Sequence, residues 1–109
     1  LFVLWYDFTK WLIAKTDTFP RKIRFSFSNR INNLALDIIE AIVEARYSRS
    51  KGPILRRMDL DMEKLLVLLR MCYDQRYLDG KGYEFAARQI TEAGKMVGGW
   101  RKQQNADKP

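Results

Sequence analysis

The spacing of the apolar residues limits this chain most, because it follows the period of an α-helix almost from end to end. In the second quarter of the sequence, six apolar residues recur at steps of three and four, which places them on one face of a helix. They are Phe27, Ile31, Leu34, Ile38, Ile42 and Ala45. No segment alternates apolar and polar residues over the length of a β-strand, so the pattern predicts an all-α fold.

Three groups of helix-breaking residues divide the chain into four helices. They are Pro20, the Gly52–Pro53 pair, and residues 79–82, which contain two glycines. Proline suits the first turn of the second helix, and the acidic residues at 59, 61 and 63 suit the start of the third. The expected helices span residues 1–15, 20–48, 59 to the third break, and 83–102.

Short connections between long helices favour antiparallel neighbours. We therefore expect an antiparallel, up-down-up-down four-helix bundle, with residues 1–109 forming a single domain. The polar tail at residues 103–109 is expected to fray. Because the chain begins with Leu1 rather than Met, we also expect further residues to precede it.

The third helix carries more apolar residues than one core-facing stripe needs. A helix that is apolar nearly all round is buried nearly all round, so the extra residues are expected to form a subunit interface in a homo-oligomer. They are Leu66, Val67, Leu68, Met71 and Tyr73. In the fourth helix, Gly94 and Gly98 are expected to let another helix approach closely.

The composition excludes several classes of catalytic and metal site. The chain has no histidine and one cysteine, which excludes His-based triads, Cys–His dyads, histidine-containing zinc sites and an intrachain disulfide. The acids near Asp59 lack the glycine and the later glutamate of a calcium loop, and residues 79–82 lack the spacing of a P-loop. We therefore expect no enzyme activity, no metal and no cofactor. A single reduced thiol suits the cytoplasm.

Basic residues outnumber acidic ones, and the excess is concentrated in one part of the chain. The formal net charge is +7, and residues 21–57 hold nine bases against three acids. Such an excess favours a polyanion or an acidic protein as the partner. The bases gather at the two ends of the second helix, and are expected to contact phosphates. The expected nucleic-acid-binding residues, with one arginine of the third helix included, are Arg21, Lys22, Arg24, Arg30, Arg46, Arg49, Lys51, Arg56, Arg57 and Arg70.

Arg70 differs from the rest of this set because it lies within an apolar run at residues 65–72. An arginine in such surroundings needs a partner or a route to water. Two interpretations stay open at this point. Arg70 is either a snorkelling side chain or a residue that lines a basic channel between subunits.

Five segments of the sequence together resemble a known family. They are residues 19–22 (FPRK), 29–31 (NRI), 35–45 (ALDIIEAIVEA), 65–70 (LLVLLR) and 94–100 (GKMVGGW). In these segments the chain resembles the accessory variability determinants (Avd) of diversity-generating retroelements. That family belongs with the four-helix-bundle proteins encoded by intervening sequences in large-subunit ribosomal RNA genes. The resemblance extends from about residue 5 to about residue 102.

The resemblance implies a homopentameric barrel of four-helix bundles with a basic surface. It also implies binding to RNA and DNA, and association with the element's reverse transcriptase, which copies a template RNA with errors at adenines. An Avd protein is not itself the polymerase. No membrane partner is expected, since the apolar first helix is too short and too charged to span one, and no small-molecule substrate is expected either.

Two other interpretations remain open. One is an intervening-sequence four-helix-bundle protein of unknown role, and the other is a basic helical scaffold that docks an acidic protein. The strongly basic balance favours the Avd interpretation over the first alternative. A neighbouring reverse-transcriptase gene would separate the Avd interpretation from both.

Overall fold

The computed structural model describes residues 1–106, with their side chains through residue 104, as four long helices around one apolar core. The helices are α1 (Phe2–Thr16), α2 (Asn29–Tyr47), α3 (Gly52–Asp74) and α4 (Gly80–Ala106). A 3₁₀ turn (Arg21–Ile23) and a π turn (Arg24–Ser28) lead directly into α2. These residues contain no β-strand, so the all-α prediction is confirmed.

Specific contacts fix how neighbouring helices lie against one another. The indole Nε1 of Trp5 donates a buried 2.9 Å hydrogen bond to the backbone oxygen of Ala35, which joins α1 to α2. The rings of Trp11 and Phe85 lie 4.7 Å apart and join α1 to α4. The described bundle measures 51 by 22 by 20 Å, as expected for helices that lie along one another.

The core stripe of the second helix is largely as predicted. Ile31, Ile38, Ile42 and Ala45 are all buried, because their spacing keeps them on the face that meets the other helices. Phe27 and Leu34 are only half-buried, at the border of the stripe. The buried face therefore runs along the whole of α2.

The third helix begins at Gly52, well before the predicted start at Asp59. Pro53 occupies the first turn, where its missing N–H costs no helical hydrogen bond. Leu55 and Met58 are fully buried and continue the core stripe towards this end. The prediction was wrong because the acids suggested a helix start, whereas burial of these two side chains favours extending the helix through the Gly52–Pro53 pair.

The fourth helix also begins earlier than predicted, at Gly80 rather than Tyr83. The Oδ1 atom of Asp79 accepts a 2.7 Å hydrogen bond from the N–H of Gly82, so this carboxylate caps the helix. A Cβ on Gly82 would lie 2.8 Å from the side chain of Leu78. An alanine at this position would therefore have to displace the side chains of Leu78 and Asp79.

The other end of α4 extends past the predicted end at residue 102 and reaches Ala106. The first residues of the expected tail are thus helical. Residues 107–109 lie outside the described part of the chain, and the fraying of the tail stays a prediction. No helix in the described part is long and apolar enough to cross a membrane.

The predicted close approach at Gly94 and Gly98 does not occur within the described bundle. A Cβ placed on Gly94, Gly98 or Gly99 would meet no atom within 4 Å. These glycines lower the helical propensity of α4 without making room for a neighbouring helix of the same chain.

Replacing Gly98 with alanine should stabilise the protein, because the methyl group meets nothing and alanine favours the helix. We expect the free energy of unfolding to rise by roughly 0.5–1 kcal/mol, measured by urea denaturation followed by circular dichroism. Gly82→Ala is the matched control and should destabilise, since its Cβ collides with Leu78. A loss of stability in Gly98→Ala would contradict the prediction.

Cys72 is fully buried on the core face of α3. Burial raises the pKa of its thiol to about 11, because the thiolate would lose its hydration. The thiol therefore keeps its proton at neutral pH and behaves as a small apolar side chain.

The raised pKa of Cys72 should make stability fall at alkaline pH. In the unfolded chain the thiol has its ordinary pKa of 9.0, whereas the folded state keeps the proton until about pH 11. The contribution of the thiol is fully present below the lower value and is lost as the pH rises to the upper one. It amounts to about 2–3 kcal/mol.

Urea unfolding of the wild type and Cys72→Ala across this range would measure that loss. All other ionisable groups are common to the two proteins, so the difference between their free energies of unfolding isolates the thiol. A difference that does not change with pH would show the prediction to be wrong.

Candidate nucleic-acid interface

The first basic cluster, which we name the α1–α2 cluster, consists of Arg21, Lys22 and Arg24. Between the basic residues, Ile23 is buried and holds the 3₁₀ turn against the core, while all three basic side chains are exposed. The turns that precede α2 hold no acidic residue. Positive charge opposes the helix dipole at this end, so the cluster does not stabilise the helix it begins.

A polar cleft of about 300 Å³ lies beside the α1–α2 cluster. Arg21 and Arg24 line it together with one carboxylate, Asp17. Asn32 also lines it, and the Thr16 hydroxyl lies 3.0 Å from the Asn32 side-chain oxygen. The cleft thus combines two guanidinium groups with neutral hydrogen-bonding groups, which suits a phosphate better than a cation.

The second basic cluster, the α2–α3 cluster, consists of Arg49, Arg56 and Arg57 at the opposite end of α2. All three side chains are exposed. Arg49 and Arg56 line a cleft of about 450 Å³ at this end of the bundle. Because α3 begins at Gly52, Arg56 and Arg57 lie on its first turns rather than in a loop.

Lys51 lies within this end of the bundle but has an intramolecular role. Its Nζ donates hydrogen bonds of 2.6 Å to the backbone oxygen of Ala45 and 2.7 Å to that of Ser48. The ammonium therefore caps the carbonyl end of α2, where positive charge is favourable. The ammonium of Lys51 thus stabilises the fold. That Lys51 also contacts phosphate stays a prediction.

Arg101 of α4 joins the cleft at the α2–α3 end, and the sequence pattern did not indicate it. Its Nη1 lies 2.6 Å from Oδ2 of Asp59, which is half-buried. This ion pair connects α3 to α4 and balances the charge of Arg101. Asp59 is thus a partner of α4 rather than the start of α3.

Arg30 lies in the first turn of α2 and Arg46 in its last turn. Arg30 lines an apolar cleft of about 580 Å³ between α2 and α3, together with Leu34 and Val67. The guanidinium carbon of Arg46 lies 5.0 Å from the centre of the Phe2 ring, a cation–π contact that holds it against α1. Neither residue belongs to the two clusters.

Arg70 is exposed on α3 and pairs with Asp74, one helical turn away. Its Nε lies 3.1 Å from Oδ1 of Asp74, and its guanidinium carbon lies 6.0 Å from the centre of the Tyr83 ring. The hydrogen bond to Asp74, and a smaller one to Tyr83, raise the pKa of Arg70, which remains charged. The side chain therefore reaches water and has a partner, as a snorkelling side chain requires.

Six of the ten basic residues that were expected to bind nucleic acid remain, and they form the two clusters. Among residues 1–104, none of the six forms an ion pair with an acidic side chain. The intervening α2 has 19 residues, a length of about 28 Å at 1.5 Å per residue. The structure therefore presents two groups of three cations at the two ends of one rigid helix.

The predicted interface residues on α3 divide into two groups. Leu66 and Leu68 are half-buried and pack against the core of their own bundle, Leu66 beside α4 and Leu68 beside α2. Val67, Met71 and Tyr73 are exposed, and the Tyr73 ring stacks on Tyr83 at 5.1 Å.

Leu60 extends the exposed apolar surface of α3, which the sequence analysis did not indicate. It is 55% exposed and shares one helix face with Val67 and Met71, which lie seven and eleven residues further along. We call these three residues the α3 stripe. In the sequence, this stripe is visible as apolar residues at helical spacing that begin at Leu60 and do not coincide with the core positions of α3.

Two aromatic residues beside the clusters were also missed. Phe25 is 84% exposed and Tyr47 is 86% exposed, more than any other large apolar side chain among the described residues. The sequence indicates their exposure, because neither residue falls on the apolar stripe that runs from Phe27 to Ala45. Among residues 1–104, no group of three or more acidic or cysteine side chains is placed to hold a metal ion.

Comparison with known proteins adds one finding to this geometry. The family model described as bAvd-like matches residues 4–104, which is nearly the whole chain. No curated protein and no solved structure matches the chain. The match includes nearly all of the four helices and both basic clusters, and the chain therefore belongs to the bAvd-like family.

Proposed function

We propose that this protein is a non-enzymatic accessory subunit of a diversity-generating retroelement that binds nucleic acid and the element's reverse transcriptase. The observation that carries the proposal is the pair of exposed basic clusters at the two ends of α2, in a chain of the bAvd-like family. Its nucleic acids are the template RNA and the cDNA copied from it, and its place is in the cytoplasm beside them.

The clusters supply affinity by contacting phosphates. Lysine and arginine displace the counterions that surround a nucleic acid, and the gain is nearly independent of base sequence. The helix α2 that lies between the clusters is about 28 Å long, which equals the span of about eight phosphates on one strand of a duplex. A strand that contacts both clusters of one protomer must be at least about this long.

We propose that the four helices alternate in direction and that five copies form a barrel. The alternation is supported by contacts that join the end of one helix to the start of the next. Thr16 meets Asn32, and Tyr73 meets Tyr83. The pentamer is supported by the family and by the exposed α3 stripe, which offers apolar surface to a neighbouring copy. Five copies would repeat each cluster and combine weak contacts by avidity.

The contact with the reverse transcriptase rests on the family alone, and we assign no residue to it. A basic scaffold that docks an acidic protein would use the same clusters. Binding to nucleic acid separates the two functions, because only the accessory subunit requires it.

Binding to RNA should weaken steeply with salt and should depend on the α1–α2 cluster. Each phosphate contact contributes about 0.9 to the slope of log affinity against log salt concentration for a duplex, and about 0.7 for a single strand. Arg21→Glu with Lys22→Glu should lower both the affinity and this slope, by a similar factor for unrelated RNAs. Fluorescence anisotropy over a series of salt concentrations measures both quantities.

The matched control is Lys81→Glu with Lys95→Glu, which changes the net charge equally. Both lysines are exposed on α4, outside the two clusters and the α3 stripe. An affinity independent of salt would overturn the electrostatic proposal. An equal loss in both double variants would mean that net charge matters and the clusters do not.

Replacing Val67 and Met71 with glutamate should disrupt assembly without unfolding the bundle. Both side chains are exposed in the single chain, at 57% and 46%, so a carboxylate there stays in water unless a second copy covers it. Light scattering should give the mass of the oligomer for the wild type and of the monomer for the double variant, with unchanged helix content.

Val3→Glu is the matched control for assembly, because Val3 is 71% exposed on a different helix. Leu66→Glu should instead unfold the bundle, since Leu66 packs against the core. A monomeric wild type at micromolar concentration would contradict the proposed assembly.

A further inference from the structure

Phe25 and Tyr47 are large aromatic side chains that the fold leaves almost entirely in water. Burying a side chain of this kind stabilises a protein through the hydrophobic effect, and neither ring contributes this to the bundle. Neither takes part in the aromatic pairs or the cation–π contacts formed among the described residues. The folding of the single chain therefore does not explain why these positions are aromatic.

Each ring lies next to one of the two basic clusters. Phe25 follows Arg24 directly, within the π turn that ends at Ser28. Tyr47 is the last residue of α2 and precedes Arg49 by two positions. Both ends of α2 thus carry the same combination, an exposed ring beside exposed guanidinium groups.

Cations lie close to both rings. Phe25 follows the three basic residues of the α1–α2 cluster within about one turn, and Tyr47 precedes Arg49 by two positions. Tyr47 also shares a face of α2 with Leu36 and Val43, which are 40% and 43% exposed. Exposed rings beside cations resemble the surfaces that hold single-stranded nucleic acid.

The physical basis of that recognition is stacking. An unpaired base presents a flat π face that can lie on an aromatic ring while its phosphate contacts an arginine. In a duplex both faces of each base are already covered by its neighbours. A ring beside a basic cluster therefore favours a single strand over a duplex, which the charges alone do not.

We propose that Phe25 and Tyr47 are base-stacking residues that make this protein prefer single-stranded nucleic acid, one ring at each end of α2. The proposal rests on the proposed nucleic-acid binding and adds the class of ligand to it. A strand that crosses α2 would place one unpaired base on each ring and phosphates on the adjacent clusters. RNA and single-stranded DNA share this chemistry, so both are included.

Fluorescence anisotropy with three labelled probes of equal length tests the proposal. The probes are an oligouridylate, an oligothymidylate and a duplex, and the variants are Phe25→Leu, Tyr47→Leu and the double variant. Leucine keeps an apolar side chain but removes the ring. We expect each substitution to weaken single-strand binding about tenfold, with duplex binding changed less than about twofold.

The salt dependence distinguishes stacking from lost electrostatic contact. A ring carries no charge, so the leucine variants should bind more weakly with an unchanged slope of log affinity against log salt concentration. Arg21→Glu with Lys22→Glu should instead lower that slope. Tyr6→Leu is the matched control, because Tyr6 is a half-exposed ring on α1 outside both clusters.

Each outcome decides the matter. A loss confined to one of the two single strands supports stacking and identifies that strand as the ligand. An equal loss for the duplex, no loss at all, or an altered oligomer mass in light scattering would overturn the stacking proposal while leaving salt-dependent binding intact. A wild-type protein that binds none of the probes would instead overturn the proposed function itself.

Discussion

The buried face of α2 is the constraint on which the rest of the structure depends. Ile31, Ile38 and Ile42 hold this helix in the middle of the bundle, and the indole of Trp5 bonds to the backbone of Ala35 within it. Because this face is buried along its whole length, α2 is held firmly in the bundle. The turns before α2 and the start of α3 pack onto the same core through Ile23 and Leu55, and these anchors hold most of the basic residues near the two ends of α2.

The fold could be predicted from the sequence wherever one residue pattern decides the structure. The three-and-four spacing identified the core face of α2, and the helix breakers identified the connections. The start of α3 was wrong because two local signals conflict there. Asp59 fits a helix start, yet Leu55 and Met58 gain more by burial than the acidic residues gain from the helix dipole. Local preference gave way to packing.

The sequence predicted where the basic residues concentrate. It did not predict which of them form contacts within the protein and which stay unpaired. Lys51 and Arg70 look like the other bases in the sequence, yet one caps α2 and the other pairs with Asp74. Arg101 bonds to Asp59 across 42 positions of sequence. Such a pair depends on how α3 and α4 are aligned, and no local pattern encodes that alignment.

Charge and stacking would have different roles at the two ends of α2. Phosphate contacts attract any nucleic acid, so the clusters alone cannot distinguish a single strand from a duplex. Stacking makes that distinction, because presenting a base to Phe25 or Tyr47 from within a duplex first costs a few kcal/mol of unstacking and unpairing. A single strand avoids this cost and is flexible enough to bridge the two ends of α2. The basic clusters would therefore attract any nucleic acid, and the two rings would make the protein bind single strands more tightly than duplexes.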